Sequence, residues 1–239
     1  MRALPPVLLL DLDDTVVHFT RGRPDFWLGA FEAHRRQGDP DAGRFSQAVA
    51  EVARDYWADA PRAARGRLDL WRARREVAVL AFERLGLPPG EQQRAHAIAD
   101  AFTAAKEEAV APFDGAVAAL ETLRARGVRL GLVTNGHPDF QRRKLERHDL
   151  GRFFEAVLIE GEWGVGKPDP TIFHEALARM RARPEDAWMV GDNLEADIGG
   201  ASAVGLKTVW VDHVGSGLGD ALRPDRVIRH IAELVDTKA

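Results

Sequence analysis

Cysteine is absent from the 239 residues of this chain, so disulfide bonds and thiolate chemistry are excluded. No apolar run approaches the ~20 residues of a transmembrane helix, and the short apolar run near the N-terminus does not resemble a signal peptide. Basic and acidic residues nearly balance, at 33 and 37, which gives no reason to expect binding to nucleic acid or to an anionic membrane. We therefore expect a cytoplasmic protein without such partners, either a monomer or a homodimer.

A short apolar run that stops at carboxylates is the most informative feature present. Residues 7–10 are Val-Leu-Leu-Leu, as in a buried strand, and Asp11 and Asp13 follow directly. Side chains at the carboxyl end of a strand in an open α/β sheet lie where ligands bind. Clustered carboxylates repel each other unless a cation or a shared proton intervenes. The pair therefore predicts a metal site, an acid–base site, or both.

The stretch from about residue 25 to residue 109 has a helical pattern. It is rich in Ala, Arg and Glu, with almost no β-branched runs. Gly and Pro interrupt the pattern at Gly38-Asp39-Pro40, at Ala60-Pro61 and at 86–90, where a helix does not continue. We expect four helices, over about 25–37, 43–58, 68–85 and 91–108.

Strands and helices alternate after Pro112. The expected strands cover 128–133, 156–159, 187–190 and 207–211, and the expected helices cover about 115–126, 138–147, 170–181, 195–203 and 227–235. This alternation predicts the α/β class, with a doubly wound parallel sheet and helices on both faces. The all-helical segment interrupts it after the first strand. We expect a core domain of residues 1–17 and 112–239 and a helical domain of residues 18–111.

Polar residues follow four of the expected strands, and parallel strands bring these ends to one edge. They are Asp11 and Asp13, then Thr134 and Asn135, then Lys167, then Asp192 and Asp197. One carboxylate can form an aspartyl-phosphate, and a second can donate and accept protons. Mg²⁺ binds oxygen ligands, and Lys, Thr and backbone N–H groups bind phosphate oxygens. The set therefore favours phosphoryl transfer.

Taken in chain order, the polar residues at these four strand ends resemble the four motifs of the haloacid dehalogenase superfamily of hydrolases. The inserted helices resemble its C1-type cap. The resemblance covers the whole α/β part, but the inserted helices match only in position and helical character. It implies a Rossmann-like core and a Mg²⁺-dependent phosphatase that acts on a small phosphorylated metabolite, such as a sugar phosphate or a nucleotide.

The resemblance also implies catalytic roles at the first and third strand ends. Asp11 would be the nucleophile and a metal ligand. Asp13 would be the general acid and base, and would bind the metal through its backbone carbonyl. Lys167 would orient Asp11, neutralise charge and bind phosphate.

Binding roles follow in the same way for the other two strand ends. Thr134 would bind the phosphoryl group, with Asn135 beside it. Asp192 would bind Mg²⁺ directly, and Asp197 would act on the metal site through water or a neighbouring ligand.

Two segments resemble a narrower branch of the superfamily. One contains Thr134-Asn135-Gly136 and then Gln141-Arg142-Arg143-Lys144-Leu145, and the other covers residues 189–198. Both resemble relatives of N-acylneuraminate-9-phosphatase and pyrimidine 5′-nucleotidase. They lie outside the predicted cap, so they say little about the substrate.

Other functions stay open at this point. A 2-haloacid dehalogenase of the same fold needs an Asp nucleophile but neither metal nor an acid at the position of Asp13. A sugar phosphomutase would return the phosphoryl group to a sugar, and only the cap could decide that. A phosphorylation-dependent switch or phospho-ligand-binding module is the non-enzymatic alternative, although receiver domains are shorter and keep no second acidic residue comparable to Asp13.

Some polar residues have a structural interpretation that competes with a functional one. Asp169 precedes an expected helix and favours an N-cap role. Asn193 could cap a helix or contact the metal. Asp14 favours a turn or a helix cap. Arg21 and Arg23 could reach a substrate anion.

Overall fold

The computed structural model describes residues 4–19, 25–88, 90–217 and 222–235. The chain forms two compact units, Met1–Arg21 with Ala111–Ala239, and Gly22–Val110. Arg21 and Arg23 lie outside the described residues. No described helix combines the length and apolar character that crossing a bilayer requires, and the cytoplasmic location stays a prediction.

The described residues of the first unit contain eight strands in two sheets. They are β1 (Val7–Leu10), β2 (Val17–His18), β3 (Ala111–Pro112), β4 (Arg129–Thr134), β5 (Ala156–Ile159), β6 (Ala187–Gly191), β7 (Lys207–Val211) and β8 (Arg226–Ile228). The large sheet has the order β5-β4-β1-β6-β7-β8, and every pair in it is parallel. Strands β2 and β3 form an antiparallel pair. The predicted α/β class with a parallel sheet is confirmed.

Strand β1 lies at the centre of the large sheet because it is apolar throughout. Its four residues are at most 2% exposed, as expected for a parallel strand covered on both faces. Strands β4 and β5 lie on one side of it and β6, β7 and β8 on the other. The carboxyl ends of β1, β4 and β6 therefore meet at the middle of one sheet edge.

The described part of the second unit contains five helices, α1 (Phe26–His34), α2 (Ala42–Ala58), α3 (Ala60–Leu68), α4 (Leu70–Arg84) and α5 (Gln92–Glu108). Aromatic stacking fills its core, with ring centroids 4.0 Å apart for Trp27 and Phe102 and 4.3 Å apart for Phe31 and Phe45. A break does lie beside Ala60-Pro61, since α2 ends at Ala58 as expected. The expectation of four helices is wrong, because Pro61 lies in the first turn of a further helix, α3, where its missing N–H has no intrahelical partner to lose.

The helix expected over about 68–85 is present as α4, which starts two residues later, at Leu70. Asp69 separates α3 from α4, and its side chain accepts a hydrogen bond from the backbone N–H of Arg72. An acidic side chain at this position satisfies a helical N–H that would otherwise have no partner. The boundary between the two helices therefore lies at a cap, which apolar spacing alone does not reveal.

Five further helices belong to the first unit, α6 (Ala116–Ala125), α7 (Pro138–Arg147), α8 (Glu160–Trp163), α9 (Pro170–Met180) and α10 (Gly200–Ala203). A π-helical segment, Leu194–Gly199, precedes α10, and 3₁₀ turns cover Gly151–Phe153, Pro184–Asp186 and Ile231–Leu234. The helix expected over 227–235 is wrong, because residues 226–228 pair with β7 as strand β8.

Candidate active site

The carboxyl edge of the sheet brings three of the predicted residues together. Asp11 extends the ladder by one residue, since its backbone N–H donates to the Val190 carbonyl at 2.9 Å. Thr134 is the last residue of β4, and Asp192 directly follows β6. These three side chains therefore lie at the ends of neighbouring strands, on the same edge of the large sheet.

Lys167 joins two of the predicted carboxylates in a buried ion-pair cluster. Its Nζ lies 2.6 Å from Asp11 Oδ1 and 2.6 Å from Asp197 Oδ1. The side chains of Lys167, Asp11 and Asp197 are 2%, 9% and 1% exposed. Positions 11, 167 and 197, far apart in sequence, therefore form one site.

Burial changes the ionisation of this cluster. It raises the pKa of Asp11 to about 7, because desolvation disfavours the carboxylate; Lys167 opposes the rise, and the charges of Asp197 and Asp13 add to it. Burial alone would lower the pKa of Lys167, but Asp11 and Asp197 together raise it above its ordinary value. Burial is thus the main reason that Asp11 holds its proton more tightly than an exposed aspartate, and Lys167 only partly opposes it.

Three carboxylates are close enough to share a cation. Asp11, Asp192 and Asp197 each offer an oxygen, and these oxygens all lie within 4.8 Å of one another. Both oxygens of Asp197 already have partners, because Oδ1 faces Lys167 and Oδ2 accepts from the backbone N–H of Asn193 at 2.9 Å. An all-oxygen donor set suits a hard cation such as Mg²⁺, with Asp11 and Asp192 better disposed than Asp197 to bind it directly.

Glycine at position 191 makes room for this arrangement. A Cβ built on Gly191 would collide with the Asp197 carboxylate. The π-helical segment that follows is capped by Asn193, whose Oδ1 accepts from the backbone N–H groups of Glu195 and Ala196. Asn193 is thus a helix cap, and the turn after β6 directs Asp197 back toward Lys167.

Asp13 lies apart from the carboxylate cluster in its side-chain contacts. Its Oδ1 and Oδ2 accept from Lys144 Nζ at 2.6 and 2.7 Å, and Oδ2 also accepts from Gln141 Nε2 at 3.1 Å. The side chain is 24% exposed, whereas that of Lys144 is 6% exposed. Asp13 is therefore held in place by α7, and the metal contact predicted for it involves only its backbone carbonyl.

Thr134 and Asn135 both make contacts at the edge of β4. Thr134 Oγ1 accepts from Gln141 Nε2 at 2.5 Å. Asn135 Nδ2 donates to the Lys167 carbonyl at 2.7 Å, and Asn135 Oδ1 accepts from the Lys167 N–H at 2.8 Å. The Asn135 side chain thus fixes the backbone of Lys167, a role that the sequence did not indicate.

Gln141 and Lys144 are the site residues that sequence reasoning missed, since it used them only for a resemblance. A signal was available, because Phe140 and Leu145 mark the apolar face of α7, and helical spacing puts Gln141 and Lys144 on that same face. All four side chains are buried. Buried polar side chains require partners, so their presence on this face points to the carboxylates nearby.

Two other polar residues have structural roles that the sequence favoured. Asp169 Oδ1 accepts from the backbone N–H of Thr171 at 2.9 Å and caps α9. Asp14 has a positive φ of 54°, and its Oδ1 accepts from the Phe19 N–H at 2.9 Å. It therefore stabilises the turn after β1.

Comparison with known proteins identifies the family. A protein-family model described as haloacid dehalogenase-like hydrolase matches residues 6–205. A phosphoserine phosphatase from Thermus thermophilus is 46% identical over 124 residues, which are 52% of this chain and 49% of the relative. A glyceraldehyde 3-phosphate phosphatase from Pyrococcus abyssi is 34% identical over 205 residues, or 85% of this chain and 80% of the relative. The chain thus spans about half of the first relative and most of the second.

The narrower resemblance is confirmed by two further relatives. A pyrimidine 5′-nucleotidase from Escherichia coli is 33% identical over 64% of this chain and 65% of its own length. An N-acylneuraminate-9-phosphatase from Rattus norvegicus is 38% identical over 49% of this chain and 48% of its own length.

Solved structures share the fold over nearly the whole chain. A hydrolase of this type from Bacillus subtilis, described as bound to magnesium, has a TM-score of 0.73 at 23% identity and covers 95% of this chain and 96% of its own. A 2-haloacid dehalogenase from Pseudomonas syringae has a TM-score of 0.63 at 27% identity, with coverages of 97% and 96%. The fold is therefore shared with a dehalogenase as well as with phosphatase-named relatives of similar sequence, and the side chains must distinguish the two activities.

Proposed function

Because this chain belongs to the haloacid dehalogenase-like hydrolase family, we propose that it is a Mg²⁺-dependent phosphatase that hydrolyses a small phosphomonoester. One observation carries the proposal. Buried Asp11, paired with Lys167 at 2.6 Å, lies two residues before an acidic group, Asp13, that α7 holds in place. A nucleophile needs activation, and a leaving alcohol needs a proton. These two carboxylates meet both requirements.

The reaction proceeds in two steps through an aspartyl-phosphate. Asp11 attacks phosphorus in line, and the bond from phosphorus to the leaving oxygen breaks as Asp13 gives that oxygen its proton. Water then attacks the phosphorus of the aspartyl-phosphate while Asp13 takes a proton from it. Asp11 leaves as a carboxylate, and inorganic phosphate is released.

Lys167 and the end of β4 bind and orient the phosphoryl group in this proposal. The Lys167 ammonium orients Asp11 and offsets negative charge, since its pKa is raised by the carboxylates around it. Thr134 Oγ1 and backbone N–H groups beside Asn135 would donate to the non-bridging oxygens. The Asn135 side chain contributes by fixing the backbone of Lys167.

The carboxylate cluster fits Mg²⁺ on two grounds. Its donors are all oxygens, and it sets three carboxylates, those of Asp11, Asp192 and Asp197, against the one ammonium group of Lys167. Asp11, Asp192 and the Asp13 carbonyl would hold the ion, and Asp197 would act on it indirectly. A bound Mg²⁺ would screen these carboxylates from an incoming phosphate.

The substrate class comes from the names of the relatives. Phosphoserine, glyceraldehyde 3-phosphate and a pyrimidine nucleotide are all small phosphomonoesters. We assign the helical unit, Gly22–Val110, as a C1-type cap that selects among such compounds. A dehalogenase would have no use for an acid at position 13 or for a cation among Asp11 and Asp192, and a phosphomutase would differ in the cap.

Phosphate release from p-nitrophenyl phosphate and from a panel of metabolites tests the proposal. With Mg²⁺ the wild type should release phosphate and Asp11→Asn should not, whereas Asp114→Asn, which removes an exposed carboxylate of the same unit, should match the wild type. Glyceraldehyde 3-phosphate, phosphoserine and nucleoside monophosphates belong in the panel. Halide release from a 2-haloacid without phosphate release from any ester would refute a phosphatase.

A further inference from the structure

Two side chains of α7 contact the acid–base residue and the phosphate-binding strand end together. Lys144 Nζ lies 2.6 and 2.7 Å from the two oxygens of Asp13, and it also donates to Gln141 Oε1 at 2.7 Å. Gln141 Nε2 lies 3.1 Å from Asp13 Oδ2, 2.5 Å from Thr134 Oγ1 and 3.0 Å from the Asn135 carbonyl. The pair thus links Asp13 to the end of β4.

We propose that Gln141 and Lys144 are positioning residues that fix the Asp13 carboxyl group at the distance from the phosphoryl site that proton transfer requires. The proposal rests on the phosphatase function proposed above. General acid catalysis depends on hydrogen-bond reach between the acid and the leaving oxygen, and a misplacement of about 1 Å can cost roughly 10²-fold in rate. Asp13 lies beyond the end of β1, so the sheet ladder does not fix its side chain.

Burial of the pair makes the positioning rigid. Gln141 is 2% exposed and Lys144 is 6% exposed, and Lys144 Nζ lies 3.8 Å from the centroid of the Phe19 ring. An ammonium group is a donor only, so an Asp13 oxygen that takes up a proton gives up its contact with Lys144, while the other oxygen keeps that contact. The same contact thus serves both halves of the reaction.

A purely structural pair would behave differently from a positioning pair. Loss of a structural ion pair lowers the rate for all esters equally, through a smaller folded fraction. Loss of a positioned acid lowers the rate most for esters whose leaving alcohol most needs a proton. The dependence of kcat/KM on the leaving group therefore separates the two roles, because kcat/KM reports the steps through the first irreversible one.

The experiment compares three esters of increasing leaving-group basicity: p-nitrophenyl phosphate, phenyl phosphate and glycerol 3-phosphate. For Lys144→Met we expect kcat/KM to fall roughly 10- to 100-fold with glycerol 3-phosphate, less than the roughly 10²- to 10⁴-fold that general acid catalysis contributes in full, and far less with p-nitrophenyl phosphate. Gln141→Met should shift the same trend in the same direction. Arg143→Met, which removes an exposed cation from the same helix, should leave it unchanged.

A double-mutant cycle completes the test. In an Asp13→Asn background, Lys144→Met should add almost no further loss with glycerol 3-phosphate, because residues that act as a unit are not additive. Equal fractional losses on all three esters, or additive losses in the cycle, would overturn the positioning role while leaving the phosphatase intact. Should the folded wild type hydrolyse none of the three esters or the metabolite panel, the phosphatase itself would be refuted.

Discussion

The two units of this protein each bury charged side chains, but they balance them differently. In the helical unit Arg94 pairs with Asp39 and, at 3.2 Å, with Glu91, and Arg36 reaches Glu91 at 2.9 Å. Two guanidinium groups thus face two carboxylates, with Arg94 and Asp39 each 7% exposed and Arg36, at the surface, 62% exposed. At the sheet edge, one ammonium group, that of Lys167, lies among three carboxylates, those of Asp11, Asp192 and Asp197.

This difference separates charge that supports a fold from charge that supports chemistry. A matched buried set satisfies itself, so removing one member leaves an uncompensated charge and destabilises the fold. An unmatched set, which has more carboxylates than cationic groups, can still bind a metal ion or a proton, or attack an electrophile. We infer that the cluster in the helical unit is structural and that the cluster at the sheet edge is catalytic.

The largest expected effect comes from removing a carboxylate of the unmatched set. Asp11→Asn should lower phosphate release by roughly 10³-fold or more, because no nucleophile remains, without lowering the free energy of unfolding of the metal-free protein. The carboxylate it removes is costly to ionise when buried, as its pKa of about 7 indicates. Enzyme assays and urea unfolding measure both. A large loss of stability would mean that Asp11 is needed for folding.

The reverse pattern is expected when one member of the matched set is removed. Arg94→Met leaves Asp39 buried without its partner, since both side chains are 7% exposed, and should cost about 3 kcal/mol in free energy of unfolding. Arg72→Met is the control, because Arg72 is 74% exposed, and it should cost no more than about 0.5 kcal/mol. Urea unfolding followed by circular dichroism measures both. Equal costs would contradict a structural role for the helical-unit cluster.

Cation binding should sharpen the contrast further. Mg²⁺ at 100 times its Kd should stabilise the protein by about 2.7 kcal/mol, seen as a rise in Tm. Asp192→Asn should abolish the rise, whereas Asp13→Asn should retain it, because the Asp13 side chain contacts Lys144 and Gln141 instead of the carboxylate cluster. Loss of the rise in Asp13→Asn would contradict that assignment.

Sequence reasoning recovered the parts of the molecule that depend on local pattern. Strands β5 and β7 lie at the residues expected from their apolar runs. Sequence reasoning failed at α3 and at β8. No helix was expected over 60–67 after the break beside Pro61, although the first turn of a helix accepts proline. Residues 226–228 form a strand by pairing with β7, a contact that local spacing does not encode.

The candidate site also contains residues that the sequence predicted and contacts that it did not. Asp11, Lys167 and Asp197 were predicted because each follows a strand, and topology alone brings such residues together. The contact between Asp13 and Lys144 spans 131 positions and depends on which face of α7 is buried. The use of the Asn135 side chain on the backbone of Lys167 depends on loop geometry. Neither has a repeating signal in the sequence.

The smallest expected effect is the pH dependence of the matched cluster. Burial alone would raise the pKa of Asp39, but hydrogen bonds from the Arg94 side chain and the Arg36 backbone N–H outweigh burial and lower it below 3.8. A carboxyl group whose pKa is lower in the folded chain adds stability above its unfolded pKa and loses it as pH falls through the folded pKa. The destabilisation caused by Asp39→Asn at pH 7 should therefore shrink once the pH drops below about 4. Urea unfolding at several pH values measures this destabilisation, and Asp55→Asn, at an exposed aspartate, is the control. A destabilisation that is the same at pH 7 and pH 3 would show that the charge of Asp39 does not stabilise the helical unit.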